Sequence, residues 1–202
     1  MTHHSKFNIG WLSTLGLNLG MAAGIGLLCG GLARADDALD GELEIRSAYA
    51  VPSHGVVVLS AHVLYPQNDR ISAALKDGVT LSFDLEVIVS RHRRLWTDVE
   101  AVDLTRRWEL SYHVVSDRYL LRDVAGNVQE SFPSLAAALT RVGQVEEWPI
   151  AVDSQLRNDE EWQIRLRAGV RRGNMPDALR ALMFWSDGWH RTSDWYSWTL
   201  VR

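Results

Sequence analysis

Residues 81–89 read Leu-Ser-Phe-Asp-Leu-Glu-Val-Ile-Val, and this stretch decides the fold class. Leu81, Phe83, Leu85, Val87 and Val89 recur at every second position, with Ser82, Asp84 and Glu86 between them. Side chains alternate across a strand, so period two predicts a strand with one buried face. The pattern repeats in both directions from there. Upstream, Leu43, Ile45, Tyr49 and Val51 are expected on one face, with Glu42, Glu44 and Arg46 opposite. After a turn at Pro52–Gly55, Val57, Leu59, Ala61, Val63 and Tyr65 form a second apolar face. Downstream, Trp108, Leu110, Tyr112 and Val114 alternate with Glu109, Ser111 and His113. Trp162, Ile164, Leu166, Ala168 and Val170 alternate with Gln163, Arg165 and Arg167. The run from Trp195 to Val201 closes the series, with Tyr196, Trp198 and Leu200 on one face.

Helical spacing interrupts the strands twice. Asn68 or Asp69 caps a helix carrying Ile71, Ala74 and Leu75, closed by Gly78. Ser134 caps another carrying Leu135, Ala138, Leu139 and Val142, closed by Gly143. Between them, Arg118–Val124 and Val128–Phe132 flank the hairpin turn Ala125-Gly126-Asn127. Trp148-Pro149 is expected to pin the exit of the second helix, and a short helix or loop is expected around 176–183. The fold class is therefore mainly β (α+β): an antiparallel sheet or sandwich of about seven strands with two short helices.

The first 35 residues read as an export signal preceding a single β-rich domain at 36–202. Lys6 supplies a positive start, residues 7–32 are almost wholly apolar or small, and Ala33 and Ala35 offer the small side chains a signal peptidase reads. The expected product lies in the periplasm. The alternative is a retained single-pass anchor in the inner membrane with the domain on the periplasmic side. A lipid-modified Cys29 fits badly, because the bulky Leu28 stands beside it.

Removing 35 of the 202 residues leaves 167, enough for one domain with a proper core. Cys29 is the sole cysteine, so the domain has no disulfide, thiol nucleophile or cysteine metal site. Without Lys6 and Arg34, 19 basic residues face 25 acidic ones, which speaks against nucleic-acid binding. Eight of the nine tryptophans lie in the domain.

Five blocks carry a family resemblance: AALKDGVTLSFDLEVIVSRHRRLW (73–96), RRWELSYHVVSDRYLL (106–121), SFPSLAAAL (131–139), EEWPIAV (146–152) and SDWYSW (193–198). In this order they resemble a bacterial exported family, domain of unknown function 4390. The resemblance implies an exported or membrane-associated domain. The setting of such proteins near nitrogen-type sensor kinases implies a part in envelope signalling, with an envelope or sensor-kinase partner. It carries over no catalytic residue. The chain departs from the pattern in being less rich in tryptophan after Arg93.

Arginine beside tryptophan suits capture of carboxylates or anionic headgroups. Arg91, Arg93, Arg94 and Trp96 form one such group, and Arg106 and Arg107 form another. If 81–94 and 106–116 pair as a hairpin, the groups are expected to converge as a basic stripe for an acidic partner. The alternative is a charged strand end with Asp98 and Glu100 as counterions. A second candidate is the aromatic group Trp185, Trp189 and Trp195, for sugars, lipids or peptidoglycan fragments, with Trp189 after the Asp187-Gly188 turn the most exposed. The alternative there is core packing.

Ser111 and His113 invite a hydrolase reading, but two residues along a strand separate them by about 6–7 Å. His54, His62, His92, His113 and His190 show no zinc-protease spacing, so no metal and no cofactor is expected. The expectation is a non-enzymatic interaction or accessory module.

Overall fold

A computed structural model describes residues 38–91, 99–156, 161–173 and 187–200. The N-terminal segment and the stretch expected around 176–183 lie outside these residues. Two antiparallel sheets form. The smaller has the order β1 (Glu44–Ser53), β2 (Val56–Leu64) and β7 (Gln144–Val152), with β2 in the middle. In the larger, β3 (Leu81–Arg91) lies between β4 (Val99–His113) and β8 (Trp162–Arg172). β5 (Arg118–Asp123) and β6 (Val128–Phe132) continue it on the β4 side, while β9 (His190–Thr192) and β10 (Tyr196–Thr199) both pair with β8.

One hydrophobic cluster joins the sheets. Leu81, Phe83, Leu85, Val87 and Val89 from β3 are buried in it, with Trp108 and Leu110 from β4 and Ile164, Leu166, Ala168 and Val170 from β8. Val57, Leu59, Ala61 and Val63 of β2 and Val145 and Ile150 of β7 enter the same cluster. Tyr65 meets Phe83 edge to face at 4.9 Å between ring centres.

Local rules set the helices and turns. In α1 (Asp69–Lys76), the Asn68 side chain accepts a 2.8 Å hydrogen bond from Ile71 N, and Ile71 and Leu75 turn into the core. In α2 (Leu135–Gly143), Ser134 Oγ accepts from Ala137 N at 3.2 Å, and Leu135, Ala138, Leu139 and Val142 are buried. His54 and Gly55 both take positive φ, as the two-residue hairpin between β1 and β2 requires.

Gly143 does not close its helix in the left-handed conformation. It is glycine because a Cβ there would lie 2.1 Å from the carbonyl oxygen of Val63. Close backbone approach, not chain reversal, excludes a side chain.

Three expectations need correction. The face assigned to β1 holds at Ile45, which is buried, and is reversed beyond Arg46: Ala50 is buried, while Tyr49 is 58% and Val51 is 44% exposed. A register shift between Ile45 and Ser47 is the cause, because one extra residue sends every later side chain to the other face. Val114 does not continue the apolar row of β4. The strand ends at His113, a short 3-10 turn spans Val114–Ser116, and Val114 is 70% exposed. Trp148 and Pro149 do not mark a helix exit but lie within β7, an edge strand of the smaller sheet. A proline fits there because an edge strand leaves alternate N–H groups unpaired.

The packing yields two stability predictions. Gly143→Ala is expected to cost about 3 kcal/mol, since backbone must move to admit the methyl group. Thermal unfolding should show a fall of roughly 6–12 °C. The Tyr65 hydroxyl is buried and has no hydrogen-bond partner among the described residues. Tyr65→Phe is therefore expected to be neutral or to stabilise by up to about 1 kcal/mol in urea titration.

Candidate interaction surfaces

The outward face of the larger sheet is a ladder of opposite charges. Register places Asp84 beside Arg107 on β4 and Gly169 on β8, and Glu86 beside Thr105 and Arg167. Asp84 accepts from Arg107 Nε at 2.5 Å and from Arg171 Nε at 3.0 Å. Glu86 Oε2 accepts from Arg167 Nη2 at 2.7 Å and Nε at 3.2 Å. Glu109 pairs with Arg122. The Trp195 ring lies 4.4 Å from the Arg167 guanidinium and 5.2 Å from that of Arg165. A cleft of about 160 Å³ opens over Gly169, bounded by Asp84, Glu86, Arg167, Arg171, His190 and Thr192.

The expected hairpin between β3 and β4 forms, but its register keeps the arginine groups apart. Arg106 pairs with Leu85, whereas Arg91 pairs with Val99, six residues further along β3. At about 3.3 Å per residue the separation is roughly 20 Å. Arg93, Arg94 and Trp96 lie outside the described residues. Arg106 and Arg107 also divide between faces. Arg107 reaches outward to Asp84. Arg106 lies over the buried Trp108 at 4.9 Å and holds Asp123 at 2.7 Å. No continuous basic stripe joins Arg91, Arg106 and Arg107, because sheet parity and register separate them.

The aromatic group is divided in the same way. Trp189 is half-buried, as is Trp195, and packs against the core with its ring 5.7 Å from the Arg172 guanidinium. Trp195 stacks on β8 arginines, and Trp185 lies outside the described residues. His113, on the same strand as Ser111, has its Nδ1 2.8 Å from Ser116 Oγ in the turn that follows. Among the described residues no three His, Cys, Asp or Glu side chains gather as a metal site.

The surface that sequence reasoning missed is the outer face of the smaller sheet. Tyr49 lies opposite Ser60, Val51 opposite Val58, and Ser53 opposite Val56. Val58 in turn faces Pro149, and Val56 faces Val152. Tyr49, Val51 and Val152 are exposed at 58%, 44% and 47%. An antiparallel sheet with one solvated face normally carries polar side chains there. This one presents Tyr49, Val51, Val56, Val58, Pro149 and Val152. A sequence signal existed: residues 56–59 read Val-Val-Val-Leu, apolar on both faces of the strand.

Two titrating groups show how the environment acts. Burial, then the charge of Asp84, push the Tyr65 hydroxyl well above the ordinary tyrosine range. For Asp123, burial pushes the carboxyl up, but hydrogen bonds from Arg106 and from Gly126 and Ala125 N–H outweigh it, so the group lies below its usual value. A carboxyl depressed in the folded state adds stability above the unfolded value of about 4, and loses it as pH falls through the depressed one. Asp123→Asn is therefore expected to destabilise the domain at pH 7 and to have a much smaller effect near pH 2. Urea titrations at both values check this. Asp84→Asn is expected to cost about 1–2 kcal/mol by the same measurement, more than Arg171→Ala, because it leaves two guanidinium groups without their shared carboxylate.

No curated protein matches the chain. No solved structure matches it either. A family model described as "Domain of unknown function (DUF4390)" matches residues 40–199. This match takes in every strand and both helices described above, and the chain belongs to that family.

Proposed function

We propose that this domain is a non-enzymatic interaction module of the bacterial envelope, and that it docks a protein partner on the outer face of its three-stranded sheet. The observation that carries this reading is the apolar row Val51–Val58–Pro149, flanked by Tyr49 on one side and Val56 and Val152 on the other. Contiguous exposed apolar side chains rimmed by polar ones mark contact surfaces. Tyrosine is enriched among the residues that dominate such contacts. The rim here includes Ser60 and His62 on β2 and Glu146 and Glu147 on β7.

The envelope setting rests on the export signal read in residues 1–35. An accessory role to an envelope sensor kinase is part of this proposal and is what the resemblance to the family implies. The charged ladder around Asp84 and Glu86 supports a non-enzymatic reading, because its carboxylates are held by arginines rather than by a general-acid or nucleophile partner. The Trp195 ring already has guanidiniums against it, which favours the protein-docking reading over sugar stacking.

The test is site-specific photo-crosslinking in intact cells from position 49 of the full chain. A discrete adduct with one envelope protein is expected, and Val51→Asp should reduce it at least tenfold while thermal unfolding stays within a few degrees. No adduct from position 49, or one that Val51→Asp leaves unchanged, contradicts the proposal.

A further inference from the structure

A cleft of about 300 Å³ opens where β4, the last turn of α2 and the start of β7 meet. Its floor is Trp108 and Val145, both buried in the core cluster, and its walls are Arg106, Arg141, Gln144 and Glu146. A cleft of this volume stands at the lower end of the range for small-molecule sites.

Arg106 is the residue out of place. It shares a face of β4 with Trp108 and Leu110, which enter the core, and its register partner is the fully buried Leu85. The side chains of Arg106 and of its partner Asp123 are only 26% and 16% exposed. An ion pair withdrawn from water is commonly no more stabilising than apolar side chains of similar size. Stability alone does not account for an arginine there.

What the arrangement achieves is orientation. Asp123 Oδ2 accepts from Arg106 Nε at 3.2 Å and from Nη2 at 2.7 Å. Asp123 Oδ1 is itself held by the N–H groups of Ala125 at 3.0 Å and Gly126 at 3.3 Å. The Trp108 indole lies 4.9 Å from the same guanidinium. Arg141 is gripped in the same way. Glu130 Oε2 accepts from its Nε at 3.1 Å, Glu130 Oε1 lies 2.9 Å from Nη2, and Nη1 reaches the Gln144 carbonyl at 3.4 Å. In both arginines a carboxylate takes the Nε–Nη2 edge, and neither carboxylate lines the cleft. The charged lining is therefore two guanidiniums held from behind and one exposed carboxylate, Glu146. Side chains already fixed lose less freedom when a ligand arrives.

Two cations and one anion around a small volume select a ligand with the complementary charges. A simple cation would meet both guanidiniums. A simple anion would meet Glu146, on a domain that already carries 25 acidic residues against 19 basic ones. We propose that this cleft binds a small zwitterion, a free amino acid, with its carboxylate on Arg106 and Arg141 and its ammonium on Glu146. Guanidinium forks match carboxylate geometry. Trp108 and Val145 give the ligand's side chain an apolar floor. Glu146 also stands at the rim of the docking face, but none of the apolar residues of that face lines the cleft.

The test is saturation-transfer NMR with calorimetry on the full chain in detergent micelles. The probes are the common L-amino acids and D-alanine, their N-acetyl and amide forms, acetate and inorganic phosphate. At least one amino acid is expected to bind with a Kd of about 1 mM or tighter. Its N-acetyl form, which lacks the ammonium, and its amide, which lacks the carboxylate, should each bind at least tenfold more weakly. Arg141→Gln should weaken the amino acid at least tenfold. Glu146→Gln should weaken the amino acid yet strengthen its N-acetyl form. Both variants alter surface side chains, so thermal unfolding should stay within a few degrees. Val51→Asp should leave binding unchanged, so this inference stands or falls apart from the docking face. Failure of every amino acid to bind overturns it. So does acetate, phosphate or an N-acetyl form binding as tightly as the amino acid, or binding that Arg141→Gln and Glu146→Gln leave unchanged.

Discussion

The packing of β3 is the constraint on which the rest of the structure depends. Leu81, Phe83, Leu85, Val87 and Val89 are all buried, and the strand is paired along its length on both sides, to β4 and to β8. A strand so placed has one register with each neighbour, because a one-residue slip would turn the apolar row outward. That register makes the charged ladder. It sets Asp84 between Arg107 and Arg171, and Glu86 against Arg167. The outward acids and arginines come from segments more than 80 residues apart in the case of β3 and β8. Burying the inner face brings them together, and their mutual neutralisation lets the outer face remain wet.

The smaller sheet obeys the same parity rule with a different outcome. Its central strand β2 keeps Val57, Leu59, Ala61 and Val63 inward without interruption. Its neighbour β1 carries a bulge near Arg46, and β7 carries two register breaks and a positive φ at Glu147. Bulges re-aim side chains and are concentrated at functional edges. Here they collect Tyr49, Val51, Pro149 and Val152 on the outside. One inserted residue in β1 separates a second core face from an exposed apolar surface.

Much of this was legible in the sequence where a strand ran without interruption. The inward rows of β2, β3 and β8 follow strict alternation, and both helix caps, Asn68 and Ser134, were read from residue type and spacing. The face of β1 was not legible, since a bulge reverses parity without changing composition. β7 was missed because Pro149 argues against a strand, and only its edge position removes the objection. The separation of Arg91 from Arg106 needed the β3–β4 register, which the length of the connection does not specify. The pairing of Asp84 with Arg171 needed the non-local contact of β3 with β8, which alternation cannot supply.

The central claim is that the bulge turns Tyr49 and Val51 to solvent and Ala48 and Ala50 to the core. Single cysteines at 48, 49, 50 and 51, in the Cys29→Ser chain, measure it directly through alkylation rates. The account predicts that 49 and 51 react about as fast as an unfolded peptide, with 50 slower by roughly a hundredfold and 48 slower than both outward positions. The reverse parity, with 48 and 50 fast and 49 and 51 protected, would contradict it.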